Sequence, residues 1–174
     1  PIIYRSADYG ASFQDITSES IGLEDLSFTT GVSGNGQYVY LIGATETGIK
    51  PSYYSSDYGQ TWTERTSLRA NEAVEVDQTG QYLIAHSQTA PYGWYSNDYG
   101  ATQISFNPNA QGRYWGMSTT GEYSFWQSVS GSTDPYINTD NLATAPTQVA
   151  KPTGLRHVTA LINMDTPVTT TSTT

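Results

Sequence analysis

Cysteine is absent from this chain of 174 residues, and the only lysines are Lys50 and Lys151. Without cysteine there can be no disulfide, no thiol nucleophile and no cysteine-ligated zinc site. The chain has 7 Lys and Arg residues and 16 Asp and Glu residues, which gives a formal net charge of −9 and no basic patch. Because phosphate contacts need Lys and Arg, we predict no nucleic-acid partner.

Long apolar runs and catalytic signatures are missing as well. No stretch approaches the roughly 18 apolar residues of a membrane helix, so we predict no membrane insertion. His86 and His157 do not have the spacing of a metal site, and no P-loop, dinucleotide fingerprint or Gly-x-Ser-x-Gly elbow occurs. We therefore predict no metal, no cofactor and no catalytic residue.

Charge is also scarce, at 13% of residues against the usual quarter, and polarity comes instead from Ser, Thr, Asn, Gln, Gly and 14 tyrosines. This composition favours an all-β protein on an extracellular or virion surface. Because the chain begins at Pro1, we expect it to be processed or to be part of a longer polypeptide.

A short motif with the pattern Ser-x-Asp-Tyr-Gly-x-Ser/Thr is repeated along the chain. It occupies residues 6–12, 55–61 and 96–102, and residues 138–144 form a degenerate fourth copy. Its aspartates are 49, 41 and 42 residues apart (57−8, 98−57, 140−98). Self-similarity at this period is typical of a propeller with four strands in each blade.

The residue types of the motif suit a tight turn. The Asp carboxylate can accept hydrogen bonds from the backbone N–H groups that follow it, and the glycine can adopt positive φ. An aromatic side chain at the end, Trp62 or Phe13, can pack beneath the turn. We therefore assign a structural role to the motif residues, which are Ser6, Asp8, Gly10, Ser55, Asp57, Gly59, Thr61, Trp62, Ser96, Asp98, Gly100 and Thr102.

These residues resemble the Asp box, or BNR repeat, whose usual form is Ser/Thr-x-Asp-x-Gly-x-Thr-Trp. That repeat occurs in sialidases, sortilin-type receptors, xyloglucan-degrading glycosidases and photosystem assembly factors. Residues 55–62 match it fully, whereas Gln103 and Asn138 depart from it. The resemblance implies a hairpin turn between the third and fourth strands of a blade, on the side away from the functional face. It implies a fold and not an activity.

A second signature, Gly-x-Tyr, alternates with the first. Gly36, Gly80 and Gly121 each stand between two apolar, β-branched or aromatic stretches, as in a strand–turn–strand hairpin. They precede the next motif Asp by 21, 18 and 19 residues (57−36, 98−80, 140−121). The two signatures together predict blades at roughly 27–66, 73–107 and 113–146.

We predict an all-β, β-propeller-like domain over residues 1–165, with about four antiparallel four-stranded blades. Residues 155–162 alternate like a strand and are predicted to complete the opening blade, and residues 166–174 form a Thr-rich tail or linker. Two alternatives stay open. The chain could be part of a larger propeller with six to eight blades, or an open stack of hairpins lying along another chain.

Tyrosine and tryptophan at loop edges are the candidate ligand-binding residues. Tyr92, Tyr114 and Trp115 lie among small or polar residues, where aromatic rings make good recognition surfaces and stacking platforms for sugars. Ordinary packing in the core or between blades is the competing interpretation for each of them.

The function predicted from the sequence is a non-catalytic structural or adhesive module. It would bind a glycan or a neighbouring protein through loops opposite the Asp boxes, and other subunits of a larger assembly are further candidate partners. One alternative is a fragment of an Asp-box glycosidase, but the sequence pairs no two carboxylates, and the Arg-Ile-Pro segment of sialidases is replaced by residues 2–5. A peptide-binding receptor or assembly-factor propeller is the other alternative.

Overall fold

The computed structural model describes residues 2–17, 27–45, 48–49, 52–65, 73–86, 93–106, 112–128 and 134–150. Every regular element within these ranges is a β-strand, so the all-β prediction is confirmed. The strands are β1 (Tyr4–Arg5), β2 (Gln14–Asp15), β3 (Ser27–Val32), β4 (Val39–Thr45), β5 (Gly48–Ile49), β6 (Ser52–Ser55), β7 (Thr63–Arg65), β8 (Ala73–Val76), β9 (Leu83–His86), β10 (Gly93–Ser96), β11 (Ile104–Phe106), β12 (Gly112–Met117), β13 (Ser124–Ser128), β14 (Tyr136–Asn138) and β15 (Thr147–Gln148).

These strands form four antiparallel sheets, each from strands that are neighbours in sequence. Strands β1 and β2 make a two-stranded half-blade. Blade A has the order β3-β4-β6-β7, with β5 paired to β4; blade B is β8-β9-β10-β11; blade C is β12-β13-β14-β15. Successive four-stranded up-and-down sheets are the arrangement of propeller blades, and their limits agree with those predicted from the two repeated signatures.

Strand β4 shows how the sequence divides its side chains between neighbouring blades. Successive residues of a strand point to opposite faces of the sheet. Tyr40 and Ile42 are completely buried in a cluster that includes Val74, Leu83 and Ala85 of blade B. Leu41 points the other way, and with Tyr53 it forms a small cluster on the side of the half-blade.

The interface between blades B and C is predominantly aromatic. Its buried cluster consists of Ile84, Tyr95, Phe106, Trp126 and Leu142. The ring of Trp126 meets the ring of Phe106 edge-on at 6.4 Å between centroids, a geometry that the quadrupoles of aromatic rings favour.

A glycine turn joins the first two strands of each complete blade. Gly36, Gly80 and Gly121 all have positive φ, at 76°, 84° and 71°. The tyrosine that follows one turn packs on the turn of the next blade, so that Tyr38 covers Gly80 and Tyr82 covers Gly121. The Gly-x-Tyr signature therefore marks both a hairpin and a contact between blades.

The predicted strand at residues 155–162 and the tail at 166–174 lie outside the described residues, as does Tyr92. The closure of the ring that we predicted from residues 155–162 stays a prediction. Within the described ranges, no helix is long and apolar enough to cross a membrane.

Candidate functional site

Four tight turns, which we call the aspartate turns, follow β1 of the half-blade and the third strands β6, β10 and β14 of blades A, B and C. In the turn of blade A, Oδ1 of Asp57 accepts hydrogen bonds from the Thr61 N–H at 2.8 Å and from the Ser55 hydroxyl at 2.8 Å. Its Oδ2 accepts the Thr61 hydroxyl at 2.5 Å, and the Ser55 Oγ accepts the Gly59 N–H at 2.8 Å. The carboxylate therefore holds the turn closed.

The turns of the half-blade and of blade B repeat this geometry. Asp8 accepts from the N–H and hydroxyl of Ser12, at 2.9 and 2.6 Å, and Asp98 accepts from those of Thr102, at 2.9 and 2.7 Å. Ser6 and Ser96 accept the N–H groups of the turn glycines Gly10 and Gly100. In each turn the tyrosine before the glycine also has positive φ, between 57° and 61°.

The degenerate turn of blade C keeps the geometry with different residues. Asn138 takes the place of serine, and its Oδ1 accepts the Leu142 N–H at 2.9 Å. Asp140 accepts the hydroxyl of Thr144 at 2.7 Å. Asn141 and Leu142 both have φ of 56°, although Leu142 stands where the other turns have glycine. Each aspartate turn stays within its own blade, so the four carboxylates do not share a site.

The hydrogen bonds of the turns lower the pKa of their carboxyl groups. The hydroxyl and N–H of Ser12 lower the pKa of Asp8 to about 2, and those of Thr61 lower the pKa of Asp57 to about 2. Thr144 lowers the pKa of Asp140. For Asp98, partial burial acts in the opposite direction, but the bonds from Thr102 and Ser96 outweigh it and lower the pKa.

We expect these shifts to make the fold sensitive to acid. A folded-state pKa of about 2, below the ordinary 3.8, means that the stabilisation by Asp57 is complete above about pH 4 and is lost as the pH falls through 2. Denaturant unfolding of the wild type and of Asp57→Asn between pH 5 and pH 2 measures this. The wild type should lose more stability than the variant, and equal losses would contradict the role of the carboxylate.

The aromatic residue that closes the motif behaves differently in two copies. Trp62 packs against its own turn, with its ring beside Gly59, and against the Leu41–Tyr53 cluster. Phe13 is 66% exposed, so the prediction that it packs beneath its turn is wrong. The reason lies in the surroundings of the turn: Phe13 belongs to the half-blade, which within the described ranges has two strands and little surface to cover a ring.

Of the three candidate ligand-binding residues, only Trp115 has a side chain within the described part of the protein. Its ring stacks on His86 of blade B, with centroids 5.3 Å apart and planes at 15°. Its indole N–H is hydrogen-bonded to the carboxyl of Glu75; burial raises the pKa of Glu75, and this bond partly opposes the rise. Trp115 thus joins blades B and C, and its use as a sugar platform stays a prediction.

An open cleft lies between the half-blade and blade A. It has a volume of about 810 Å³, and it lies on the side of the aspartate turns. The aromatic side chains Tyr4, Tyr9, Tyr58 and Trp62 line it, together with the apolar residues Ile3, Ile16, Val32, Val39 and Leu41. Arg5 also lines the cleft, and its guanidinium donates a hydrogen bond to the Tyr58 carbonyl at 2.7 Å.

Sequence reasoning did not identify this cleft as a site. The predicted ligand-binding residues were sought on the opposite loops, whereas Tyr4, Tyr9 and Tyr58 belong to or adjoin the aspartate turns. A signal was nevertheless present: within the given sequence, a Gly-x-Tyr signature precedes each later motif but not the first one.

Comparison with known proteins supports the fold. No family model matches the chain, and no curated protein matches it. Among solved structures, a GH74 enzyme of Niastella koreensis is similar at 22% identity with a TM-score of 0.62, covering 84% of this chain and 21% of the enzyme. TolB of Acinetobacter baumannii is similar at 17% identity with a TM-score of 0.55, covering 82% of this chain and 36% of TolB.

A structure of a nidogen/laminin complex is similar at 12% identity with a TM-score of 0.52, covering 72% of this chain and 47% of that one. These neighbours and the four antiparallel sheets define the chain as a β-propeller-type protein. It spans less than half the length of each of these structures. At such low identity the similarity concerns the fold alone.

Proposed function

We propose that this chain is a non-catalytic, structural or adhesive β-propeller module built from Asp-box repeats, and that it attaches to a neighbouring protein. The observation that carries the proposal is the open cleft between the half-blade and blade A. It combines exposed aromatic and aliphatic side chains with an edge of β1 that no strand of the described ranges pairs. Exposed apolar surface of this kind is typical of protein interaction sites. The composition supports a location on an extracellular or virion surface.

The acidic groups support a binding role over a glycosidase role. A glycosidase needs two carboxyl groups about 5–10 Å apart, one of them able to donate a proton. The turn aspartates are each held by their own turn, and the carboxyl of Glu75 is hydrogen-bonded to Trp115. The described residues contain no group of three His, Cys, Asp or Glu residues that would suit a metal ion.

Protein is favoured over glycan as the ligand because an aliphatic residue and a strand edge are exposed together. Val32 is 53% exposed in the cleft, and the edge of β1 that faces away from β2 has no paired strand within the described ranges. Sugars are recognised by aromatic faces and polar groups, whereas a strand edge offers main-chain hydrogen bonds to another peptide.

Photo-crosslinking in the native source of the protein tests the proposal. A photoreactive phenylalanine analogue replaces Tyr9, which is fully exposed at the cleft, or Phe13, which is 66% exposed and does not line it. We expect irradiation to join the Tyr9 position to a defined peptide segment, and the Phe13 position to none or to unrelated segments. Crosslinks from Tyr9 to carbohydrate, or from neither position, would contradict a protein partner.

An activity assay addresses the enzymatic alternative. We expect no release of reducing sugar from xyloglucan and no release of sialic acid from a sialoside, above a heat-denatured control. Hydrolysis of either substrate that disappears in Glu75→Gln would overturn the non-catalytic assignment and make Glu75 the first candidate acid.

A further inference from the structure

Two tyrosines of neighbouring blades lie side by side between the glycine turn of blade A and the aspartate turn of blade B. The ring centroids of Tyr38 and Tyr99 are 5.0 Å apart, with planes at 40°, near the short end of the roughly 4.5–7 Å that aromatic pairs span. Both side chains are half-buried. Burial and, after it, the neighbouring phenol of Tyr38 raise the pKa of Tyr99, as expected when the two hydroxyl groups lie close together.

The turns on both sides hold this pair in place. The Tyr99 N–H donates to the Gln81 carbonyl at 3.0 Å, and Tyr99 has a φ of 59°. The Tyr38 N–H donates to the Ser33 Oγ at 3.0 Å, and the Tyr38 ring packs on Gly80. The separation of the two rings is therefore set by the fold, and reacting groups that a fold orients in this way react as if at a very high local concentration.

Tyrosine rings at this separation can be joined by oxidation. Loss of one electron and of the phenolic proton gives a phenoxyl radical, whose unpaired electron is shared with the ring carbons beside the oxygen. Two such radicals form a carbon–carbon bond, and the hydrogens on the bonded carbons then move to the oxygens. In the product the ring centroids lie about 4 Å apart, which is two ring radii and one carbon–carbon bond of about 1.5 Å. The rings of Tyr38 and Tyr99 need only a small approach to reach it.

We propose that Tyr38 and Tyr99 form a site of oxidative crosslinking, where a peroxidase that uses hydrogen peroxide joins blades A and B through a dityrosine bond. The two tyrosines lose two electrons and two protons, and one hydrogen peroxide takes them up and becomes two molecules of water. The bond closes a loop of 61 residues (99−38) in a chain that has no cysteine for a disulfide. Like a disulfide, it restricts the unfolded chain. The proposal is independent of the attachment function.

Two other tyrosine contacts in the same region are less suited to this reaction. The ring of Tyr54 is 6.1 Å from that of Tyr38 and 5.3 Å from that of Tyr40. The guanidinium of Arg65 lies 4.9 Å above the Tyr54 ring, and its positive charge opposes the removal of an electron. Tyr40 is completely buried and its hydroxyl donates to the Gly80 carbonyl at 2.6 Å, so loss of its proton is unfavourable.

Blade C provides an internal comparison. Tyr82 corresponds to Tyr38, because it follows the glycine turn of its blade in the same way and covers Gly121 of the next blade. The place of Tyr99 is taken there by Asn141, which has a similar φ of 56°. The contact between blades B and C therefore has one phenol where the contact between blades A and B has two.

Treatment of the dilute, purified protein with a haem peroxidase and hydrogen peroxide tests the proposal. We expect the monomer fraction to gain dityrosine fluorescence and to lose the mass of two hydrogen atoms, and peptide mapping to join Tyr38 to Tyr99. Tyr99→Phe keeps the ring and removes the hydroxyl, and it should lower the yield of this product at least about tenfold, because the oriented partner is lost. The control Tyr82→Phe should change the yield less than about twofold, because that phenol has no such partner.

Asn141→Tyr tests whether the position alone selects the pair. It places a second phenol opposite Tyr82, and we expect a second crosslink, between residues 82 and 141, in addition to the first. The crosslinked wild type should also unfold at a higher denaturant concentration than the untreated protein, because the closed loop restricts the unfolded chain. The same treatment of Tyr99→Phe should leave its unfolding midpoint unchanged.

Three results would overturn the proposal. The first is an equal yield of intramolecular product from the wild type and from Tyr99→Phe. The second is a crosslink that maps to other tyrosines, or that forms only between molecules. The third is an Asn141→Tyr protein that has native tryptophan fluorescence but no second crosslink, because proximity of these positions would then not select the reacting pair.

Discussion

Gly80→Ala is expected to destabilise the protein by about 2–5 kcal/mol. Gly80 has φ of 84°, and a left-handed conformation costs an L-residue about 1–2 kcal/mol. The added methyl group would also lie 2.5 Å from the ring of Tyr38, and overpacking of a filled site costs about 1–3 kcal/mol. The Tyr40 hydroxyl donates to the Gly80 carbonyl at 2.6 Å, which limits how far the turn can move away.

Gly36→Ala is the matched control, because it makes the same change at the same point of the hairpin in blade A. Its φ is 76°, but the nearest atom to the added methyl group is 3.9 Å away. We therefore expect Gly36→Ala to destabilise the protein only by the cost of a left-handed backbone at alanine, about 1–2 kcal/mol. Denaturant unfolding followed by tryptophan fluorescence measures both variants. Equal losses would mean that the added methyl group is accommodated without cost, so that Tyr38 is not tightly packed against the turn of blade B.

The limits of the three complete blades were predictable because two signatures mark two different turns of each blade. A hairpin turn with positive φ favours glycine, so Gly36, Gly80 and Gly121 stand out in the sequence. Buried strands between such turns follow from alternation, as in β4. Local chemistry was therefore enough to place the strands and their order within each sheet.

The contacts between blades were not predictable in the same way. The sequence around Trp115 does not predict that its ring stacks on His86 or that its indole N–H is hydrogen-bonded to Glu75. Trp115 lies on a different sheet from these two residues. The exposure of Phe13 has the same origin. The motif around it is nearly identical to that around Trp62, and the difference lies in the neighbouring sheet and not in the turn.

The cleft is the clearest case of a site that sequence indicates but does not locate. The order of signatures predicted that the chain begins in the second half of a blade, yet the tyrosines of the motifs that line the cleft were interpreted as parts of turns. Tyr9, Tyr58 and Tyr99 share one motif position and one backbone conformation. Tyr99 lies 5.0 Å from the ring of Tyr38, whereas Tyr9 is fully exposed, so the same residue is a packing element in one blade and a surface element in another.

Leu142 combines an unfavourable left-handed backbone with a completely buried side chain. Substitutions there are expected to show whether the cost of the backbone or the stabilisation by packing is larger. Leu142→Ala keeps the left-handed φ of 56° but removes a completely buried side chain from the cluster between blades B and C. Deletion of buried leucine atoms costs about 2–5 kcal/mol. This variant should therefore destabilise the protein by that amount.

Leu142→Gly restores the residue found in the other three aspartate turns, so it removes the same side chain while relieving the backbone. The relief is about 1–2 kcal/mol, of which the greater freedom of glycine in the unfolded chain takes back about 0.4–1 kcal/mol. We expect a net destabilisation of about 1–4 kcal/mol in denaturant unfolding, slightly less than for Leu142→Ala. If Leu142→Gly instead stabilised the protein, the loss of packing between blades B and C would be smaller than the turn strain, and the leucine would need another explanation. Destabilisation by both variants would mean that the methyl groups of Leu142 stabilise the contact with blade B by more than the left-handed backbone costs.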